Sequence, residues 1–450
     1  MAYRTHPHWK SVPQAFLTHR WESIVADTTT GSRGRLDKAQ RGAFVGAFLG
    51  WLFDYYEIFL LTFLLVPIIA EFGLSTAAGA WLVSASLIAM AVGGVGFGML
   101  ADRIGRRRVL MITVLMFTIA TFARAIAPNY EVLVVLTAIA GLGLGGEYGV
   151  GQSLISEIIE PSRRGWWGGL YYGGAFLSIM LAALVGGHLL PAIGWRWTFA
   201  ISGAPVLLVI YLRSHTPESP HWVKNASVNR LKLREYTSGT FLRPFALCLV
   251  PAVLYFWAYY GLTTLLPKYL TSLGFSMAAA SWWIFFTAVA GLCGCLFGSW
   301  ACDRWGRRPT VTIVMVFAAV GGLIVYLAGP SAIGSSVLLV PFFILYFGST
   351  APTIFGTLFS EVFPTRFRSA GVSAALQLAR GTSALPPLIA AGVIANAGYM
   401  PIFLAATVLY TAVGAWIWLF PETRNSRLEN LEDGAVRAAT SPEGTPTANS

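Results

Sequence analysis

The stretch Asp102-Arg103-Ile104-Gly105-Arg106-Arg107 recurs 201 residues later as Asp303-Arg304-Trp305-Gly306-Arg307-Arg308. Two unrelated motifs repeat at an offset of 204. The pair Glu157 and Arg164 recurs as Glu361 and Arg368, and Pro217-Glu218-Ser219 recurs as Pro421-Glu422-Thr423. Three motifs at nearly one offset are hard to obtain by chance. The sequence therefore predicts two structurally similar halves, joined in the same orientation about an axis along the membrane normal.

The composition places these halves in a lipid bilayer. The 450 residues are 56% hydrophobic and 11% charged, with a mean hydropathy of +0.64. A soluble domain carries about 25% charged residues, so this chain has too little polar surface to be soluble. A membrane β-barrel would alternate apolar and polar positions. The apolar runs here are continuous, which predicts an all-α membrane protein.

Twelve membrane spans follow from these apolar runs, six in each half. They cover residues 42–70, 79–101, 109–127, 130–158, 166–190, 196–213, 243–268, 277–302, 309–328, 335–360, 369–395 and 399–420. The predicted domains are an N-terminal segment (1–41), a six-helix bundle (42–213), a central loop (214–242), a second bundle (243–420) and a tail (421–450). The tail is rich in small polar residues and Pro, which predicts disorder.

The net charge of +11 reports orientation and does not indicate a nucleic-acid partner. Most Lys and Arg residues fall in segments on one side of the predicted membrane, and only Arg124, Arg196 and Lys268 fall near the other side. This bias predicts that both termini and the central loop are cytoplasmic. The polar start of the chain predicts no cleavable signal peptide, and the first span itself would direct insertion into the cell (inner) membrane.

Two carboxylates interrupt the first span, in Phe53-Asp54-Tyr55-Tyr56-Glu57-Ile58-Phe59. Asp54 and Glu57 share one helix face, because they are three residues apart. A charge near the bilayer centre costs about 2.5 kcal/mol or more, so such residues usually face a polar cavity and have a function. A buried polar pair that only packs against another helix is the structural alternative.

Three other charged residues lie inside predicted spans, at different depths in the membrane. Arg380 lies near the middle of span eleven, at the predicted depth of Asp54 and Glu57. Glu147 lies deeper toward the cytoplasm in span four and is a further polar intramembrane residue. Arg124 is close to the outer end of span three, from which its side chain can reach the interface.

The loop motif Gly98-x-x-x-Asp102-Arg103-x-Gly105-Arg106-Arg107-Arg108 and its second copy resemble the signature of the major facilitator superfamily. The Pro-Glu motifs after spans six and twelve resemble its sugar-porter-like branch. Among that branch, the acids of span one, Gly145–Gly149, Gly194–Trp197 and Arg380–Ala384 are similar to metabolite–proton symporters for sialic acid, lactate and related carboxylates. Tyr55 stands where many of these symporters have Gly. The resemblance implies two six-helix bundles that rock about a central cavity.

By the same resemblance, eight loop residues would hold the cytoplasmic side shut in the outward-open state. They are Asp102, Arg106, Glu157 and Arg164, with Asp303, Arg307, Glu361 and Arg368. Partly exposed ion pairs contribute only about 0–1 kcal/mol each, which suits contacts that break in every cycle. Anchoring by positive charges alone would explain the Arg residues but not the paired acids.

The predicted function is proton-coupled import of a small organic anion by alternating access. Arg380 would bind a substrate carboxylate bidentately, with Gln377 one turn earlier as a second donor. Asp54 and Glu57 would carry the proton, since desolvation and mutual repulsion favour the neutral form of at least one. An internal salt bridge from Arg380 to either acid is the alternative. Tyr172, Tyr255 and Tyr259 either line the cavity or pack between helices.

Two other classes of function remain open from the residues. The first is an uncoupled facilitator or exporter of a sugar or other metabolite. The second is a membrane enzyme or sensor, which the positions of the His residues and the lack of a phosphate-binding Gly-x4-Gly-Lys-Ser/Thr loop disfavour. The expected partners are the substrate, the proton and the bilayer, with no cofactor, no metal and no nucleic acid. The protein is expected to be a monomer.

Overall fold

The computed structural model describes residues 36–74, 76–203, 211, 218, 222–223, 233–272, 274, 277–329, 338–383, 385–386, 389, 393 and 396–424. The helices of the first half are α1 (Lys38–Phe72), α2 (Thr76–Ile104), α3 (Arg106–Ala125), α4 (Tyr130–Ile158), α5 (Arg164–Leu184) and α6 (Leu190–Ser202). Those of the second are α7 (Gly239–Ser272), α8 (Met277–Trp305), α9 (Arg307–Ala328), α10 (Leu339–Gly348), α11 (Pro352–Val362), α12 (Arg368–Thr382) and α13 (Met400–Trp416).

Ten candidate membrane spans lie among the described residues. They correspond to predicted spans one to five, seven to ten and twelve. Predicted spans six and eleven begin with α6 and α12 but run on into residues that the structure does not describe. The predicted N-terminal segment, most of the central loop and the tail after residue 424 also lie outside the described residues.

The tenth span is broken into two helices, α10 and α11. Ser349, Thr350 and Ala351 separate them, and Pro352 begins α11. Proline lacks the backbone N–H that would continue the α10 hydrogen-bond ladder, so the break falls where the sequence places it. The freed Ser349 carbonyl accepts a hydrogen bond of 2.6 Å from the Tyr255 hydroxyl, which satisfies it inside the bundle.

The repeated loop motif makes the same tight turn in each half. Gly105 and Gly306 separate α2 from α3 and α8 from α9, with φ angles of 105° and 102°. Such positive φ values favour glycine. A carboxylate caps the start of each following helix. Glu218 accepts from the Arg106 N–H at 2.9 Å, and Glu422 accepts from the Arg307 N–H at 3.0 Å. A carboxylate satisfies the free N–H groups at a helix start.

The loops at Gly105 and Gly306, together with the starts of α5 and α12, lie at one end of the bundle, which we call the gate end. At the opposite end, Glu71 accepts hydrogen bonds of 2.5 Å from both the Trp195 indole and the Arg196 guanidinium. Burial alone would raise the pKa of Glu71, but these two donors hold that pKa below its usual value. The contact ties the end of α1 to α6 within the first half.

Candidate functional site

Arg380 lies in the last turn of α12 with its side chain buried. Its Nη1 donates to Gln377 Oε1 at 3.0 Å, and its Nη2 donates to the Tyr55 hydroxyl of α1 at 3.0 Å. The Nε has no hydrogen-bond partner, and none of the ion pairs among the described residues includes Arg380. The salt bridge to Asp54 or Glu57, which the sequence left open as the alternative, is therefore not formed in this structure.

Aromatic rings from both halves surround this guanidinium. Its central carbon lies 5.4 Å from the Trp51 ring centre, 4.9 Å from that of Tyr55 and 5.4 Å from that of Phe256. Ring faces attract a desolvated cation by about 2 kcal/mol or more. These rings offset part of the cost of burying Arg380 without neutralising its charge, so it can still bind an anion.

The three predicted tyrosines lie around the same cluster. Tyr172 packs 5.9 Å from the Trp51 ring and interacts electrostatically with Arg380 and Tyr55. Tyr255 and Tyr259 stack on each other in α7 at 5.9 Å. The Tyr255 hydroxyl donates to the Ser349 carbonyl. Tyr255 therefore makes a packing contact within the second half.

Gln377 joins the two halves beside Arg380. Its Oε1 accepts from Arg380, and its Nε2 donates to the Gly145 carbonyl of α4 at 2.9 Å. A Cβ added at Gly94 of α2 would lie 2.6 Å from the Gln377 side chain. Glycine at that position therefore allows the amide to reach α4 and orient the guanidinium.

Asp54 is fully buried, and neither of its carboxylate oxygens has a hydrogen-bond partner. It precedes Tyr55, the residue that contacts Arg380. The positive charge of Arg380 stabilises the Asp54 carboxylate electrostatically, although no direct bond joins them. An ionised carboxylate without donors is costly to bury, so Asp54 is a side chain that gains by taking up a proton.

Glu57 has a different environment from Asp54. It forms an ion pair with Arg124 of α3 and accepts a hydrogen bond of 2.7 Å from the Thr121 hydroxyl. Arg124 is buried, with the Phe199 ring 4.5 Å from its guanidinium. The prediction that Arg124 extends to the interface was wrong, because the sequence does not show the helix rotation that turns it toward α1.

Glu147 is buried in α4 and accepts a hydrogen bond from the Thr113 hydroxyl of α3. Among the described residues no cation lies within ion-pair distance of it. It interacts electrostatically with Asp54 of α1. Asp54 therefore has Glu147 as an electrostatic neighbour, in addition to Glu57, which lies one turn along α1.

At the gate end, Asp102 connects the first half to the second. Its two oxygens accept from the backbone N–H groups of Ser369 and Ala370 at 3.2 and 2.9 Å, at the start of α12. Arg106 binds Asp102 at 3.1 Å and donates to the Thr365 carbonyl at 3.0 Å. A carboxylate at a helix start is favoured by the helix dipole.

The second copy of the motif makes the same contact with the roles of the two halves exchanged. Asp303 of the second half accepts from the N–H groups of Gly165 and Trp166, at 2.8 and 2.7 Å, where α5 begins. Arg307 binds Asp303 at 3.4 Å and Glu361 at 2.8 Å. The two contacts together give the gate end the twofold pattern of the repeat.

Of the remaining gate residues, Glu157 and Arg368 contact each other across the halves. Glu157 of α4 binds Arg368 of α12 at 2.7 Å and Arg106 at 3.2 Å. Arg164 donates to the Ile159 carbonyl at 3.2 Å. The expectation that these pairs are partly exposed was wrong, since the side chains of Asp102, Arg106 and Glu157 are 0% exposed. Removing one partner of a buried pair leaves an uncompensated buried charge, which costs about 3–5 kcal/mol, so single substitutions at the gate should destabilise this closed arrangement.

A model of the Major Facilitator Superfamily matches residues 47–385. The chain belongs to this superfamily. The match spans both halves and includes the gate motifs, Asp54 and Arg380. It makes the protein a multi-pass membrane transporter with the twelve-helix superfamily architecture, as the repeat predicted, and it excludes the membrane enzyme that the sequence left open.

The relatives and the solved structures agree with the superfamily. The niacin transporter NiaP of Acinetobacter baylyi is 28% identical over 85% of this chain and 94% of its own. The galactose-proton symporter of Escherichia coli K12 is 26% identical over 90% and 96%. The fold matches the structure of the proton:xylose symporter XylE with a TM-score of 0.73, 20% identity, and coverage of 88% and 98%.

The sequence missed several members of this transporter's central cluster. Trp51 and Phe256 contact Arg380 through their rings. Thr113 and Thr121 donate hydrogen bonds to Glu147 and Glu57. Tyr55 carried a usable signal, because it follows Asp54 directly inside a charged segment of the first span. The others look like ordinary apolar or small residues of a membrane helix, and only the packing of the helices against one another shows what they contact.

Proposed function

We propose that this transporter imports a small organic anion together with a proton, with its gate end on the cytoplasmic side. The observation that carries this proposal is the buried Arg380. Its Nε has no hydrogen-bond partner, it forms no ion pair among the described residues, and its charge acts electrostatically on Asp54. Both termini then lie in the cytoplasm, in agreement with the charge bias of the loops.

The Arg380 guanidinium is the anion-binding group. A planar guanidinium matches a carboxylate in a two-point hydrogen bond, and binding one would add a charge pair to the ring contacts. The rings of Trp51, Tyr55 and Phe256 then contact the body of the substrate. Flat aromatic monocarboxylates fit this arrangement best, because rings stack on rings. The niacin transporter among the relatives is consistent with this substrate class.

Proton coupling follows from the charge that Arg380 and Asp54 share. Burial disfavours the ionised form of Asp54, and while Arg380 is free its positive field offsets part of that cost. A substrate carboxylate on Arg380 cancels that field, so Asp54 then binds a proton more readily. Substrate and proton therefore bind together, and the loaded site carries no uncompensated charge into the occluded state. The galactose-proton symporter among the relatives supports coupling of this kind.

The gate contacts support an assignment of the structure to one state of the transport cycle. Both halves are joined at the gate end through Asp102, Asp303 and Glu157, so the route from Arg380 to the cytoplasm is closed. We assign this arrangement to the part of the cycle in which substrate enters from the opposite side. Opening to the cytoplasm requires these buried pairs to separate, a cost that binding of substrate and proton must offset.

Uptake by purified protein in proteoliposomes tests the proposal, with niacin and benzoate as probes. An inward proton gradient should drive accumulation of the anion above its external concentration. Asp54→Asn should abolish accumulation but retain exchange of anion across the membrane, because a neutral residue mimics the loaded state. Glu57→Gln is the matched acid variant and should retain the dependence on the gradient.

An uncoupled facilitator would give another result. Uptake would then reach only the external concentration and would not respond to the pH gradient in wild-type protein or in Asp54→Asn. That outcome would contradict proton coupling while leaving anion binding at Arg380 intact.

A further inference from the structure

Tyr55 contacts Arg380 with both its ring and its hydroxyl group. The hydroxyl accepts a hydrogen bond of 3.0 Å from Arg380 Nη2, and the ring centre lies 4.9 Å from the guanidinium carbon. The Tyr55 ring packs against Trp51 at 4.6 Å and Phe59 at 5.8 Å, and the residue is buried. The position of this hydroxyl is therefore determined by packing within α1 of the first half, whereas Arg380 belongs to the second half.

The hydrogen atom of the Tyr55 hydroxyl is not used by Arg380. A guanidinium only donates, so the Tyr55 oxygen accepts from it and the O–H group remains a donor. The hydroxyls of Tyr172 in α5 and Tyr260 in α7 interact with that of Tyr55. Within the part of the chain that the structure describes, no carbonyl or carboxylate accepts a hydrogen bond from these three hydroxyls. Each hydroxyl brings one hydrogen of its own, so a hydrogen bond from one hydroxyl to another leaves one donor unpaired.

The other polar groups at Arg380 are unpaired donors or are already paired. The Nε of Arg380 has no hydrogen-bond partner. Both ends of the Gln377 amide are occupied, by Arg380 and by the Gly145 carbonyl. The Asp54 carboxylate makes no hydrogen bond with any described residue. The cluster around Arg380 therefore has more hydrogen-bond donors than acceptors, and a ligand that only accepts would balance it.

We propose that the Tyr55 hydroxyl is a second anion-binding group, which makes the site select carboxylates over the corresponding carboxamides. A carboxylate has about four lone-pair positions, so it can accept from Arg380 at two points and also from the Tyr55 hydroxyl. A carboxamide has an NH2 group in place of one oxygen, and this NH2 group meets a donor. The role of Tyr55 rests on the proposed function and specifies the chemistry of its substrate.

The expected selectivity follows from the strength of hydrogen bonds to a charged group. Each such bond changes affinity by about 10- to 100-fold. A carboxamide forms no charge pair with Arg380, and its NH2 group leaves buried donors of the protein without an acceptor. A site that hydrogen-bonds one ligand group rejects an analogue that leaves its buried polar groups unpaired. The protein should therefore bind an acid at least about 100-fold more tightly than the amide with the same ring.

The test is calorimetry of the purified full-length protein with two acid and amide pairs, which are niacin with nicotinamide and benzoate with benzamide. Tyr55→Phe keeps the ring and removes the hydroxyl, so it should bind both acids about tenfold more weakly and both amides unchanged. Tyr56→Phe is the matched control, because it removes the neighbouring buried hydroxyl of α1, which pairs with Ser202 at 2.9 Å. It should leave all four affinities unchanged.

Two results with Tyr55→Phe would overturn the role of its hydroxyl. An equal loss of affinity for acids and amides would indicate a packing role only. An unchanged or increased affinity for the acids would show that the hydroxyl does not bind the anion. If the wild-type protein still prefers the acids, either result leaves the proposed function standing. Wild-type protein that binds no acid, or binds acids and amides equally, would instead refute anion binding at Arg380 and with it the proposed function.

Discussion

A single buried residue, Arg380, determines the chemistry of the central site. Its two terminal nitrogens donate to Gln377 and Tyr55, and these two acceptors fix the direction of the guanidinium. The guanidinium is therefore oriented before a substrate arrives, and little side-chain entropy is lost on binding. This orientation depends on shape as well as on charge.

The variant Arg380→Lys keeps the charge and removes the planar fork. A charged hydrogen bond contributes about 1.5–3 kcal/mol, so loss of one predicts roughly 10- to 100-fold weaker anion binding. Binding of niacin to the purified protein, measured by calorimetry, checks this. Arg196→Lys is the matched control, because Arg196 pairs with Glu71 at the outer end of the first half, and it should leave the affinity unchanged. Equal affinity in Arg380→Lys would show that charge alone suffices.

At this scale the sequence predicted the charged residues but not all of their partners. Asp54 and Arg380 were identified by the cost of burying charge, which depends on residue type and depth alone. The assignment of Arg124 to the interface failed, and its pairing with Glu57 was not foreseen, because such a pairing depends on how two helices rotate against each other. That rotation is determined by packing over the whole first half.

Among the helices, the close packing of α2 against α4 holds the buried carboxylates in place. A Cβ added at Gly93 would lie 2.0 Å from the Leu142 carbonyl oxygen, and one added at Gly145 would lie 2.0 Å from that of Met90. Small residues at such crossings allow membrane helices to approach closely. The glycine-rich sequence of these two spans indicated helix packing, and the structure shows which glycines provide it.

A pair of alanine variants on α2 tests this packing. Gly93→Ala should destabilise the protein by about 1–3 kcal/mol, because the backbone of α4 must move to accept the methyl group. Gly96→Ala, one turn further along, is the matched control, since nothing lies within 4 Å of the added Cβ. Thermal unfolding of the two variants in detergent is the measurement. Equal melting temperatures would show that α2 and α4 are not in this close contact.

Across the whole molecule, the two halves meet through residues related by the repeat. Ser360 of α11 donates to Ser156 of α4 at 2.6 Å, and Tyr148 donates to the Pro352 carbonyl at 3.0 Å. Each of these pairs is separated by 204 residues, the offset found in the sequence. The repeat therefore predicted which segments meet on the pseudo-twofold axis, although it could not predict that their charges are buried.

A disulfide across this axis should lock the gate shut. The two hydroxyl oxygens are 2.6 Å apart, so cysteine sulfurs at these positions should come within reach of the S–S bond length of about 2.05 Å. Ser156→Cys with Ser360→Cys should lose niacin transport on oxidation and regain it on reduction. Each single variant controls for the natural cysteines, of which Cys293 is exposed. Full transport by a completely cross-linked protein would contradict a gate that opens here.

The central claim is that anion binding at Arg380 drives protonation of Asp54. The most direct measurement is the pH change when niacin is added to purified protein in a weakly buffered solution. The account predicts uptake of about one proton per bound anion by the wild-type protein and almost none by Asp54→Asn, which should still bind niacin. Stoichiometric binding with no proton uptake by the wild-type protein, or equal uptake by Asp54→Asn, would contradict it.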